Sequence, residues 1–169
     1  MEPRFVTLGT IRLTGYALQT SNREGENYRE IPAFWGAYLS DGRVGRLHDS
    51  GFVKRHAEYG ACFPQDPENG KFVYVIGVQV KEGAEIPEEF HTCEIPPATY
   101  AVFLTPPCNE ANFTKNIQGT WQYIMNDWFP SSGYEYAAGC VDFEYYGEES
   151  MGEDENNKVC EIHIPVVKR

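Results

Sequence analysis

No run of this sequence is long and apolar enough to cross a membrane as a helix, which takes about eighteen or more consecutive apolar residues. The N-terminus, Met1 to Leu8, lacks a basic segment followed by an apolar one, so no secretory signal is expected. Basic side chains are scarce: 14 Lys and Arg stand against 25 Asp and Glu, for a formal net charge of −11. A protein that tracks phosphates needs a basic stripe, so direct DNA binding is not expected, and the acidity reads as solubility. Cysteine is also sparse. Cys62, Cys93, Cys108, Cys140 and Cys160 are odd in number, widely spaced and without a C-x-x-C pair. That pattern predicts free thiols in a reducing compartment, hence a cytoplasmic location. The four histidines are scattered and only His91 and Cys93 lie close together, so neither a metal site nor a cofactor is expected. A glycine-rich phosphate loop is missing too, since Phe129 to Gly133 has no lysine.

Aromatic residues are what the chain has in excess. Eleven Tyr, ten Phe and three Trp make up 14% of its 169 residues, more ring surface than a core of this size needs. The length fits one domain, or two small units fused around one core. The most informative segment is Val141 to Tyr146. Read as a strand, it puts Asp142, Glu144 and Tyr146 on one face and Val141, Phe143 and Tyr145 on the other. A carboxylate in such a strand is costly to desolvate unless a donor or a cation answers it. The Glu144 face is therefore either wet or the wall of a pocket. A desolvated Glu144 would have a raised pKa and could act as a general acid.

Sliding the chain against itself by 86 positions aligns Leu18 with Leu104, Ile31 with Ile117, Trp35 with Trp121, and Glu58-Tyr59 with Glu144-Tyr145. Val73, Ile76 and Val80 fall on Val159, Ile162 and Val166. Each half, about 1–82 and 88–169, is expected to read strand, helix, strand, strand. In the first half these are a strand over Thr7–Thr20 with Gly15 at a bulge, and a helix with Pro32 in its first turn. The helix face holds Ile31, Phe34, Trp35, Tyr38 and Leu39, and Gly42 and Gly45 end it. Strands over Tyr59–Phe63 and Phe72–Val80 follow, joined by a turn with Asn69-Gly70 as its signal. In the second half a strand over Thr92–Leu104 is interrupted by Pro96 and Pro97. The next helix carries Phe113, Ile117, Trp121, Ile124 and Trp128 and is stopped by Pro130. Strands over Tyr136–Tyr146 and Lys158–Val167 flank an exposed acidic turn, Gly147–Asn157. The predicted class is α+β: duplicated β-α-β-β units forming a curved antiparallel sheet, with two main helices and a central cleft where the halves meet.

These features together resemble the GyrI-like family, the effector-binding domain of AraC- and MerR-type transcription activators. The resemblance rests on the Ile31-x-x-x-Trp35 helix, the Ile95-Pro96-Pro97 turn, Trp121 with Trp128-Phe129-Pro130 and Gly133-Tyr134, and above all Phe143-Glu144-x-Tyr146. It implies an aromatic groove with an acidic residue at its base that takes hydrophobic, often cationic, small molecules. By that resemblance Glu144 matches the acidic residue, Tyr146 its strand neighbour, and Trp35 and Trp121 the helix tryptophans. Tyr59, Phe63 and Tyr100 are further candidate walls. No helix-turn-helix segment precedes Phe5, so a stand-alone binding domain is expected, as a monomer or weak dimer with a small-molecule ligand. The same resemblance admits two alternatives. One is a hydrolase that opens cyclopropane-bearing genotoxins, in which Glu144 would activate water and Tyr146 polarise the leaving oxygen. The other is a modulator of DNA gyrase acting through the acidic surface.

Overall fold

The computed structural model describes residues 1–147, 150 and 156–169. Most of the expected acidic turn, 148–155 apart from Ser150, lies outside the described residues. The chain divides into two compact units. Unit 1 joins Met1–Thr10 to Pro96–Arg169, and unit 2 is Ile11–Ile95. These units are cut differently from the halves drawn on the sequence. The expected strand Thr7–Thr20 is really two, β1 (Arg4–Leu8) and β2 (Ile11–Ser21), and they pair in different units.

Unit 2 contains β2, helices α1 (Glu26–Ser40) and α2 (Arg43–His48), and strands β3 (Val53–Asp66), β4 (Lys71–Val80) and β5 (His91–Ile95). Its strand order is β3-β4-β2-β5, all antiparallel. Gly15 does not mark a bulge. The β2–β4 ladder runs without a break from Leu13 to Ser21, with Gly15 opposite Gly77. A Cβ on Gly15 would lie 2.0 Å from the Ile76 carbonyl oxygen, so glycine is there because two backbones approach closely. Pro32 is not in the first turn either. A 3-10 turn, Arg23–Gly25, leads into α1, and Pro32 lies inside the helix. The hydrogen bond it forfeits is the one to the Tyr28 carbonyl, on an exposed residue where water can replace it.

Ile31, Phe34, Trp35 and Tyr38 of α1 pack on a core with Leu47, Phe52, Tyr74, Ile76 and Val78. Leu39, expected on that face, is exposed, because one further residue turns the helix about 100° off the stripe. Gly42, at φ 86°, separates α1 from α2, whereas Gly45 lies within α2. The β3–β4 hairpin closes through a 3-10 turn, Pro67–Asn69, in which the Asp66 carboxylate accepts from the Asn69 amide. Gly70 there takes φ 66°.

Unit 1 contains β1, β6 (Ala98–Leu104), α3 (Glu110–Tyr123), α4 (Phe129–Ser131), β7 (Tyr134–Tyr136), β8 (Asp142–Tyr146) and β9 (Glu161–Lys168). The antiparallel order is β1-β6-β9-β8, with β7 also pairing β9. Asn109 caps α3 by accepting from the Asn112 amide. Beyond Tyr123 the helix widens into a π-helical turn, Ile124–Trp128, and continues through α4. Pro130 therefore sits near the start of α4 rather than ending the helix before it. The expected strand Tyr136–Tyr146 breaks into β7 and β8 around a turn, with Cys140 donating to the Ala137 carbonyl and Gly139 at φ 78°.

Both units are thus α+β, each with antiparallel ladders and one main helix. Among the described residues, no helix is long and apolar enough to cross a membrane.

Candidate functional site around Glu144

The register of unit 1 decides which side chains share a face. Glu144 on β8 lies opposite Ile162 on β9, which lies opposite Phe103 on β6. Phe103 meets the Trp128 ring, at 5.0 Å between centroids, and Tyr146 meets Phe113 of α3 at 6.2 Å. Glu144, Tyr146, Ile162 and Phe103 therefore face the helix. The period-two reading of Val141–Tyr146 put Glu144 and Tyr146 together, and here they meet beneath α3.

Glu144 is 8% exposed. Its Oε1 accepts from the Trp121 indole Nε1 at 2.8 Å, and its Oε2 accepts from the Tyr146 hydroxyl at 2.8 Å. Both donors are uncharged. They fix the direction of the carboxylate and satisfy lone pairs without cancelling charge. Hydrogen bonds to an ionised acceptor are the stronger kind, so this pair holds the group firmly. The Tyr146 hydroxyl donates to Glu144 and so helps to position the carboxylate. Cys160, buried close by, has its thiol pushed well above the ordinary range by burial and by the Glu144 charge, and so stays protonated. Asp142, on the same strand face, is partly buried and accepts from the Tyr136 hydroxyl at 2.8 Å.

Tyr100 belongs to the opposite face. It pairs with Pro165, its ring meets Phe143 and His163, and its hydroxyl donates to the Val141 carbonyl at 3.3 Å. The structure does not bring it to Glu144. His163 stacks on Phe143 on that face, at 4.3 Å, and its Nε2 lies 2.9 Å from Glu161, which Arg4 also contacts at 2.6 Å.

In unit 2, Trp35 donates its indole N–H to the Tyr74 hydroxyl at 2.9 Å. Tyr59 pairs with Gly77 and Phe63 with Val73, on the face opposite Tyr74 and the helix-side core. The structure therefore separates Trp35 from Tyr59 and Phe63 within their own unit. Sequence reasoning passed over Glu58, the counterpart of Glu144 in the repeat. It is 3% exposed and accepts from the Tyr38 hydroxyl at 3.1 Å, with His48 Nε2 at 2.6 Å from the same oxygen. The aligned Glu58-Tyr59 and Glu144-Tyr145 pairs were the signal that could have found it.

A protein-family comparison bears on this geometry. The family described as Cass2, integron-associated effector binding protein, matches residues 4–166. The chain belongs to this family. Among curated relatives, the transcriptional regulator BrlR of Pseudomonas aeruginosa is 34% identical over 108 residues. That match covers 64% of this chain but only 37% of BrlR. Among solved structures, SAV2435 bound to tetraphenylphosphonium superposes with a TM-score of 0.79 at 20% identity, over 99% of this chain and 94% of that one. The C-terminal domain of EcmrR gives a TM-score of 0.63 at 14% identity, over 99% and 98%. At these identities the two structures show that the fold is shared. An effector-binding domain of the GyrI-like type, able to take a small molecule, follows from the family.

Proposed function

We propose that this member of the effector-binding family takes a hydrophobic organic cation at Glu144. The observation that carries the reading is the buried Glu144 carboxylate, aimed by Trp121 and Tyr146 beneath α3. A charge held in a partly desolvated site attracts a cation across ~5 Å far more strongly than it would in water. Ring faces such as that of Trp121 add about 0.5–2 kcal/mol each by cation–π contact. The cation bound to the structurally similar SAV2435, tetraphenylphosphonium, supports this choice of ligand chemistry. It cannot donate hydrogen bonds, so charge and ring contact are all it offers a site.

Titrating tetraphenylphosphonium while following tryptophan fluorescence tests the proposal. Binding by the unmodified chain, weakened roughly tenfold or more (about 1.4 kcal/mol) by Glu144→Gln, is the expected result. Equal affinity in the two proteins would remove Glu144 from the account.

A further inference from the structure

Of the asparagines in the chain, only Asn69 is followed by glycine. That pair is open to spontaneous loss of the side-chain amide, because glycine has no Cβ to keep its backbone nitrogen from the preceding side chain. Asn69 is exposed, at the end of the 3-10 turn Pro67–Asn69 that closes the β3–β4 hairpin, so water reaches it. The folded turn withholds both reacting groups. The Gly70 nitrogen, the nucleophile, has its N–H engaged with the Pro67 carbonyl at 3.2 Å. The Asn69 side-chain amide, the electrophile, is gripped by Asp66. Its Nδ2 donates to Oδ2 of Asp66 at 2.7 Å, while the Asn69 backbone N–H donates to Oδ1 at 3.2 Å. The amide cannot turn toward the Gly70 nitrogen without giving up these bonds.

We infer that Asn69 is a site of spontaneous deamidation whose rate is set by Asp66. When the turn opens, the Gly70 nitrogen attacks the side-chain carbonyl carbon of Asn69. The bond from that nitrogen to Cγ forms, the Cγ–Nδ2 bond breaks, and Nδ2 leaves as ammonia with the proton that Gly70 gives up. Water then adds to one carbonyl of the five-membered imide and opens it. One opening gives aspartate; the other gives isoaspartate, in which the main chain runs through the former side chain. Water is the one co-reactant. The product also undoes the turn that slowed its formation. A carboxylate stands where the Nδ2 donor stood and only accepts, so the bond to Asp66 becomes a like-charge contact. The start of α1 leans on the same turn. The Asn22 N–H donates to the Gly70 carbonyl at 3.0 Å, and Arg23 Nη2 donates to the Glu68 carbonyl at 3.0 Å. Deamidation therefore loosens the β2–α1 connection together with the end of the hairpin.

Peptide mass spectrometry of the full chain, incubated in mildly alkaline buffer, tests this. The samples are the folded parent, the parent held unfolded in urea, Asp66→Ala and Asp66→Asn, with Asn69→Asp as the standard for the product. The gain in mass should fall on the peptide that carries Asn69. It should be fastest in the unfolded chain and roughly fivefold faster in Asp66→Ala than in the folded parent, the factor that a hydrogen bond of about 1 kcal/mol holds back. Asp66→Asn keeps an oxygen that accepts from Asn69 and should lie between Asp66→Ala and the parent. The Tm of Asn69→Asp should fall below that of the parent. Equal rates in the folded parent and Asp66→Ala would remove Asp66 from the account. An Asn69 that stays intact even in the unfolded chain would overturn the site itself.

Discussion

Glu144 in unit 1 and Glu58 in unit 2 occupy the same place in the repeated sequence, and both are buried beneath a helix and accept from a tyrosine hydroxyl, yet their second partners differ. Glu144 accepts from an indole and a phenol, Trp121 and Tyr146. Glu58 accepts from Tyr38 and is held by His48, which leads through His56 to the surface. The equivalent tryptophan, Trp35, gives its N–H to Tyr74 instead. Even the ladders differ, since Glu58 faces Val78 whereas Glu144 faces Ile162, the counterpart of Ile76. A shift of two residues keeps the side chain on the same face, because strand side chains alternate with period two. The strand thus decides that a carboxylate is buried, and the helix above it decides what that carboxylate can do.

The largest way to sharpen the contrast is to damage one unit alone. Gly15→Ala places a Cβ against the backbone of Ile76 in unit 2, with no flexible side chain there to yield. A stability loss of about 3 kcal/mol is expected, read as a lower denaturant midpoint. A milder contrast comes from the two tryptophans. Trp121→Phe removes a hydrogen bond to a buried carboxylate and should cost about 2 kcal/mol, whereas Trp35→Phe removes a bond between neutral groups and should cost about 1 kcal/mol. Equal losses in the two variants would mean that the helix tryptophans play the same part in both units.

The smallest effect is on acid stability and belongs to unit 1. The hydrogen bond from His163, and then Arg4, hold the Glu161 carboxyl at about 2, below its ordinary 4.5. Burial holds the His163 imidazole below its ordinary 6.5. Both folded values are depressed, so both contributions are complete above the unfolded values and fade as the pH falls. Stability should decline first below about pH 6.5, through His163, and then between 4.5 and about 2, through Glu161. Glu161→Gln should flatten the second decline by about 1 kcal/mol, a modest effect because Arg4 and part of Glu161 are open to solvent. Thermal melts across that pH range read it directly.

Much of this could be read before folding. The alternation of Val141 to Tyr146 set Glu144 and Tyr146 on one side, and the spacing of Phe113, Ile117, Trp121 and Ile124 set the face of the helix that covers them. That Tyr100, a candidate wall, lies on the face away from Glu144 could not be read, because its direction depends on the register of β6 against β9, and no local signal specifies a register between distant strands. Gly15 looked like a bulge because a lone glycine in a strand reads the same whether it bends the chain or admits another backbone. The pair His48 and His56 looked scattered because α2 and the start of β3 bring them together through tertiary packing. Pro32 and Pro130 were placed by their usual roles at helix ends, yet α1 and the helical stretch through α4 both tolerate them inside.

The central claim is that Glu144, aimed by the Trp121 indole, receives the cation. The chain has three tryptophans, so a 1H–15N spectrum carries three indole signals, assignable with single Trp→Phe variants. On titration with tetraphenylphosphonium, the Trp121 indole N–H should move most, since its acceptor gains a cationic neighbour, and Glu144→Gln should abolish that movement. A shift centred on Trp35 with Trp121 unmoved would contradict the account.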